Sequence, residues 1–372
     1  MNILKSKLSK THPYKPGIKI KFVYLLVIFI MSIMAFVFST VFEIRVKHQT
    51  FKQMRTAAKK TLTAYKVISK EKIKRNIPIN PILDPNKTGL MGEEFSEVTT
   101  TLGNLESKQT ALNPEFAALL VRWISELNIA PSSDIIIHAS ASFPSLTIMA
   151  IIACETLEMN PVILSSLGSS SFGANRLDFT YLDIEKLLIE NHIIKNQSIF
   201  VTPGGNNDNG SSFWSGGLKN IQQNAIKNNY ILIIPHSLQD AIIKKWNFIF
   251  ENMTPKLFIN IGGNHAALGN GNCALNLPSG KILSTINCKN GGESGLIHKF
   301  NQAGIPVFHF LQIRNMALEN GIHLTPTKFP EPGTTGIYFK NTKSITLLIA
   351  SVIFIPLLII FLVQRNTINN NY

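Results

Sequence analysis

A chain of 372 residues in which 45% of the side chains are apolar is long enough for two ordinary domains. Its formal charge of +14 would suit nucleic acid, but residues 1–75 hold 17 Lys/Arg against 2 Asp/Glu, and residues 76–372 hold 19 against 20. The excess therefore belongs beside a membrane, where each Lys or Arg near an anionic leaflet adds about 1 kcal/mol of attraction, and nucleic acid is not an expected partner.

In chain order, residues 1–21 form a basic tail with six lysines. Residues 22–42, "FVYLLVIFIMSIMAFVFSTVF", carry no charge and match the roughly 20 residues a helix needs to cross a bilayer. The stretch exceeds the h-region of a cleavable signal peptide and no small-x-small pattern follows, so a retained transmembrane helix is expected. Residues 43–75 place Phe51, Met54, Ala58, Leu62, Tyr65 and Ile68 at helical spacing between lysines. They read as a basic amphipathic juxtamembrane helix, a stalk or a helix lying on headgroups. The prolines of "NIPINPILDPNKTG" bias their predecessors away from helix, and residues 76–92 read as a linker. Residues 345–363 form a second uncharged run and a second expected transmembrane helix, followed by a tail, 364–372. Six lysines precede the first span and six Lys/Arg follow it closely, a tie in the positive-inside count; Lys328, Lys340 and Lys343 before the second span against Arg365 after it favour a cytoplasmic central domain, whereas a six-lysine tail resists translocation, and on that ground the domain is expected outside the cytoplasm.

Between residues 93 and 340 short apolar runs alternate with helical patterns. The runs are "SEVTTTL", "DIIIHA", "PVILSS", "SIFVTP", "YILIIP", "KLFINIGG" and "IPVFHF". Asn113 with Pro114 announces the helix "EFAALLVRWISEL", and Pro144 opens another. All-apolar strands separated by helices are buried on both faces. The expected class is α/β: a doubly wound, mostly parallel, Rossmann-like sheet flanked by an N-terminal and a C-terminal transmembrane helix.

Ligands of such sheets bind beyond the carboxyl ends of the strands. The segments there, 140–145, 165–176, 204–212, 236–240 and 262–271, are small, hydroxylated or glycine-bearing, which lets backbone N–H groups approach an anion. "GNNDNGSS" imitates a phosphate loop but has Ser211 where a lysine belongs, with Asp208 nearby; "INIGGNHAALG" lacks the full dinucleotide spacing. No cofactor is expected, and no metal, since neither CxxC nor HExxH occurs. Candidate nucleophiles are Ser142 and Ser170, with Ser145 and Ser169 beside them, candidate bases His236 and His265, and candidate orienting groups Asp178, Asp183, Asp208 and Asp240. No GxSxG elbow is present. Candidate ligand-binding residues are Thr100, Lys108, Ser140, Ser169, Asn175, Arg176, Gly204, Gly205, Gly262 and Gly263, with Arg176 suited to a carboxylate. Cys154 reads as a buried thiol. Cys273 and Cys288 are a disulfide if the domain is exported and free thiols if it is not.

The segments "GEEFSEVTTTLGNLESKQTALNPEFAALLVR", "SASFPSL", "VILSSLGSSSFGANRLDFTYLDIE", "INIGGNHAALG" and "GIPVFHFLQIRNMALENGI" resemble the bacterial poly-gamma-glutamate system protein family, over roughly residues 90–335. The resemblance implies a membrane-anchored accessory protein of poly-γ-glutamate (capsule polymer) synthesis or export, with the polymer or its synthase complex as partner. It brings no catalytic residues with it. A near-neutral domain lacks the Lys/Arg for a long polyanion groove and favours a compact pocket for one unit or one end. The alternative is a hydrolase or transferase acting on γ-glutamyl amide bonds through a Ser or Thr nucleophile with His236 or His265.

Overall fold

The structure, a computed structural model, describes residues 22–41, 43–288 and 291–343 and a few positions between 349 and 364. Within these the strands are β1 (Glu43–Lys47), β2 (Thr99–Thr101), β3 (Asp134–Ser140), β4 (Asn160–Ser166), β5 (Ser169–Ser170), β6 (Ser198–Thr202), β7 (Leu257–Ile261), β8 (Gly280–Ile282), β9 (Val307–Phe310) and β10 (Phe339–Lys343). The helices are α1 (Phe22–Val41), α2 (Phe51–Lys74), α3 (Leu105–Thr110), α4 (Glu115–Glu126), α5 (Pro144–Thr156), α6 (Tyr181–Glu190), α7 (Gly217–Lys227), α8 (Leu238–Asn252), α9 (His265–Leu268), α10 (Gly271–Leu275), α11 (Leu296–Gln302) and α12 (Ile313–Glu319).

Residues Lys47–Phe339 form one compact unit; the described residues before and after it belong to another. In the flanking unit α1 is a twenty-residue helix without a charge, and β1 and β10 pair in a two-stranded sheet. Over the described residues alone, no helix is long and apolar enough to cross a membrane. The side chains at 24, 25 and 38–41 fall outside the described set. The second expected span, 345–363, lies almost wholly outside the described residues.

The large unit is built on a six-stranded sheet in the order β6-β4-β3-β7-β9-β8. Every pairing is parallel except β8 against β9. Counted by the parallel strands alone, the order is third, second, first, fourth, fifth. This is the Rossmann-like doubly wound order, with its switch point between β3 and β7. Alternation along the strands feeds two cores: Ile135, Ile137 and Ala139 of β3 face one, with α4 and α5, and Ile136 faces the other, with α8 and α11. In register, His138 lies opposite Asn260, and Asn260 opposite His309. Three polar side chains thus cross three neighbouring strands on the α8 face.

Two sequence expectations change here. Helix α2 is no free-standing juxtamembrane helix: Met54, Ala57, Ala58, Thr61, Ala64, Tyr65 and Ile68 are buried against the domain, and the Tyr65 hydroxyl donates to the Leu112 carbonyl at 2.8 Å. The stretch read as a linker is likewise built in. Asp84 is buried and its carboxylate accepts from the Thr88 amide (2.9 Å), the Thr88 hydroxyl (3.0 Å) and the Gly89 amide (2.7 Å). An amphipathic stripe reveals that a face is covered but not by what. The run "YILIIP" makes one parallel bridge, Leu232 to Val201, and no strand. It flanks the edge strand β6, Ile231 stays 85% exposed, and Pro235 offers no amide to extend the ladder.

Candidate functional site

Where β3, β4, β6 and β7 end, their loops enclose a recess of about 240 Å³. Segments 140–145, 165–176, 204–212 and 262–271 all contribute to its wall, as do Thr100, Thr101, Leu102, Gly103, Asn104, Ser107 and Lys108 of the β2–α3 segment. Of the predicted residues, Thr100, Lys108, Ser140, Ser142, Ser170, Gly205, Gly263 and His265 line it. Ser169, Asn175, Gly204 and Gly262 support the wall from outside. Ser169 Oγ donates to the carbonyls of Ala141 (3.2 Å) and Ser170 (2.8 Å). Asn175 ties its loop to the Glu93 backbone, accepting at 2.9 Å and donating at 2.8 Å.

Other predicted residues stand elsewhere: Ser145 donates to the Ala111 carbonyl at 2.8 Å, and Asp183 caps α6, accepting from the Thr180 amide at 2.9 Å. Arg176 grips Asp178 through two bonds of 2.9 and 2.7 Å and is also paired with Glu93. It borders a wider, mostly apolar groove with Phe95 and Trp214, where Glu93, Glu97 and Asp178 supply negative charge. A guanidinium already held by two carboxylates in acidic surroundings is poorly placed to take another. His236 is exposed outside the recess, its amide donating to Asp240 at 2.8 Å, and segment 236–240 contributes nothing to the wall.

The lining contains no Asp or Glu, and its cation is Lys108. Helix α3 is capped by the Asn104 side chain, which accepts from the Ser107 amide at 2.8 Å and aims Lys108 inward. The Lys108 ammonium donates to the Ser142 carbonyl and, at 2.8 Å, to Ser170 Oγ, and it lies 4.1 Å from the centre of the Phe143 ring. With 4% of the residue exposed and no carboxylate in reach, burial pulls its pKa down to about 7. Ser142 Oγ in turn accepts from the Ser170 amide at 3.0 Å. The N-terminus of the thirteen-residue α5 begins two residues after Ser142 and adds positive potential on the same side.

Close backbone approach makes this possible. A Cβ at Gly103 would meet the Ser171 carbonyl at 2.4 Å and Lys108 Cε at 3.1 Å. Gly103→Ala is accordingly expected to displace Lys108, destabilising the protein by about 1 to 3 kcal/mol in denaturant titration and weakening any ligand of the recess.

Beneath the recess lies a buried network of which sequence reading singled out Asp208 and missed Lys245, His138, Asn260 and His309. Asp208 and Lys245 are wholly buried and paired at 2.5 Å. Burial raises the Asp208 carboxyl and Lys245 more than offsets it, so its pKa is lowered; burial lowers that of Lys245. Lys245 Nζ reaches His138 Nε2 at 2.9 Å, His138 Nδ1 reaches Asn260 Oδ1 at 3.0 Å, and Asn260 Nδ2 reaches His309 Nδ1 at 3.0 Å. A charged lysine donates, so His138 accepts at Nε2 and donates from Nδ1, and His309 accepts at Nδ1 and carries its proton on Nε2. Burial, then Lys245, lowers His138 to about 3, and burial lowers His309 to about 4, so both rings are neutral. The network meets the recess at Asn264, whose amide donates to Asp208 Oδ1 at 2.7 Å and Ser166 Oγ at 2.8 Å and whose carbonyl oxygen accepts from the Ala266 amide at 2.8 Å. Among the described residues no group of three or more His, Cys, Asp or Glu is arranged to hold a metal.

Cys273 and Cys288 form a disulfide joining α10 to the segment after β8, and Cys154 is a buried thiol whose pKa burial raises. Compared with protein-family models, with curated proteins and with solved structures, the chain gives no match.

Proposed function

We propose that this protein is a membrane-anchored accessory protein of poly-γ-glutamate biosynthesis or export, and that the strand-end recess binds one carboxylate-bearing unit or chain end. The observation that carries the reading is Lys108, a buried cation without a carboxylate partner, in a wall of hydroxyls, amides and glycines that holds no acid. Such a site is incomplete until an anion arrives. Its volume of about 240 Å³ is below the roughly 300–1,000 Å³ of ordinary small-molecule pockets, which suits one unit rather than a length of polymer. The sequence resemblance supplies the polymer, whose γ-linked units each present an α-carboxylate. The uncharged segment 22–42 supplies the anchor, and the Cys273–Cys288 disulfide favours an oxidising, extracytoplasmic setting for the domain.

The test is equilibrium binding of a short γ-linked glutamyl oligomer to the full chain in detergent, with an α-linked oligomer as the control. Saturable binding of the γ-linked form, weakened at least tenfold in Lys108→Met, is expected. Binding indifferent to Lys108, or equal for both linkages, would sink the reading.

A second reading, a hydrolase or transferase of γ-glutamyl amides, is favoured by the contact of Ser170 Oγ with Lys108. Its base would not be His236, which is remote from the recess.

A further inference from the structure

We propose that Ser170 and Lys108 form a nucleophile–base pair that transfers an acyl group from an amide or ester to water. The inference rests on the recess being a ligand site, as proposed above, and adds a reaction to it. Three geometric facts carry it. Ser170 Oγ and Lys108 Nζ are 2.8 Å apart and both line the recess. The Ser170 backbone is fixed, its amide donating to Ser142 Oγ at 3.0 Å and β5 pairing with β2, and Phe172 two residues on holds a φ of +62°. Constrained backbone of this kind gathers at functional sites.

The third fact is the company Lys108 keeps. His265 is the other titratable side chain of the lining. Glu106, on the same helix, is turned to Arg314 at 3.4 Å, and Asp208 lies behind Asn264, paired with Lys245. No anion holds the Lys108 proton, and with a pKa of about 7 the neutral amine is well populated at neutral pH, the condition for a lysine general base.

The reaction balances within these two side chains, the substrate and water. Neutral Lys108 Nζ takes the Ser170 hydroxyl proton as Oγ bonds to the carbonyl carbon and the carbonyl electron pair moves onto oxygen. That pair returns, the carbon–nitrogen or carbon–oxygen bond of the substrate breaks, and the leaving group takes the proton from Lys108. Water, deprotonated by Lys108, then attacks the Ser170 ester, and the proton passes to Ser170 Oγ as it departs.

The probe is a fluorophosphonate, which reports a nucleophilic serine whatever the natural substrate. The full chain in detergent is labelled and the adduct mapped by mass spectrometry, with folding of each variant checked by circular dichroism. One adduct on Ser170 is expected, forming at a rate that rises as pH passes through about 7. It is absent in Ser170→Ala, unchanged in Ser284→Ala, an exposed control outside the recess, and slowed about 100-fold or more, with a flat pH profile, in Lys108→Met. Absence of an adduct in the folded wild-type protein, an adduct retained in Ser170→Ala, or a folded Lys108→Met that reacts at the wild-type rate would overturn the proposal. An adduct on Ser170 in a protein that ignores γ-glutamyl oligomers sustains the pair and removes the polymer as its substrate. Oligomer binding without an adduct removes the pair and leaves the binding site.

Discussion

Lys245→Met is expected to destabilise the fold by about 3 to 5 kcal/mol, because it strands the Asp208 carboxylate in a site closed to water. Ser166, Thr202 and Asn264 all donate to Asp208 Oδ1 and cannot neutralise it. The sign with pH distinguishes this from a simple packing defect. In the variant the unpaired Asp208 carboxyl is pushed above its unfolded value, so its folded form binds a proton that the unfolded chain has released. The deficit relative to wild type therefore grows as pH rises from about 5 to 8 and narrows as it falls. Adding Asp208→Asn, which removes the orphaned charge and keeps an acceptor oxygen, is expected to restore at least half of the loss in urea titrations. Equal deficits at both pH values, with no recovery in the double variant, would show that the pair carries no uncompensated charge.

Lys108→Met is expected to act in the opposite sense, raising stability while emptying the site of its cation. The folded pKa of about 7 lies below the ordinary lysine value of 10.5. Below about pH 7 the native protein holds the buried charge at full cost; between 7 and 10.5 the unfolded chain binds more protons, so wild-type stability rises with pH, and above that range the contribution is complete. The difference in pKa corresponds to about 4 to 5 kcal/mol. Loss of the bonds to Ser142 and Ser170 and of the contact with Phe143 takes back about 1 to 2 kcal/mol. The variant should exceed wild type by about 2 to 4 kcal/mol at pH 6 and by little or nothing at pH 10. A variant that is destabilised by the same amount at both pH values would mark Lys108 as a structural anchor.

The strand ends were the legible part of this chain. Short apolar runs followed by Ser, Gly and Asn located β3, β4, β6 and β7, and the composition of the following loops marked four of the five that form or frame the recess. What failed did so for physical reasons. Arg176 was the natural carboxylate ligand by residue type, but spacing along the chain does not show that Glu93, 83 residues away, closes on it. Helix α2 looked peripheral because its lysines are conspicuous, yet Ala57, Ala58 and Ala64 form the flat face that packs on the domain. Lys245 did leave a signal: Ala241, Ile242, Lys245 and Ile249 share one helical stripe, and a lysine on such a stripe must find a buried partner. Its partner Asp208 could not be read from sequence, since the two meet only when the loop after β6 folds over α8.

The claim on which the rest depends is that Lys108 stands in the recess as an unpaired, partly deprotonated cation awaiting a carboxylate. It is tested most directly by NMR titration of lysines labelled at Cε, with the Lys108 signal identified by its loss in Lys108→Met. The Lys108 signal is expected to titrate near pH 7 in the free protein and to move to higher pH when a γ-linked glutamyl oligomer is added. A Lys108 signal that titrates with the exposed lysines, and does not respond to the oligomer, would contradict it.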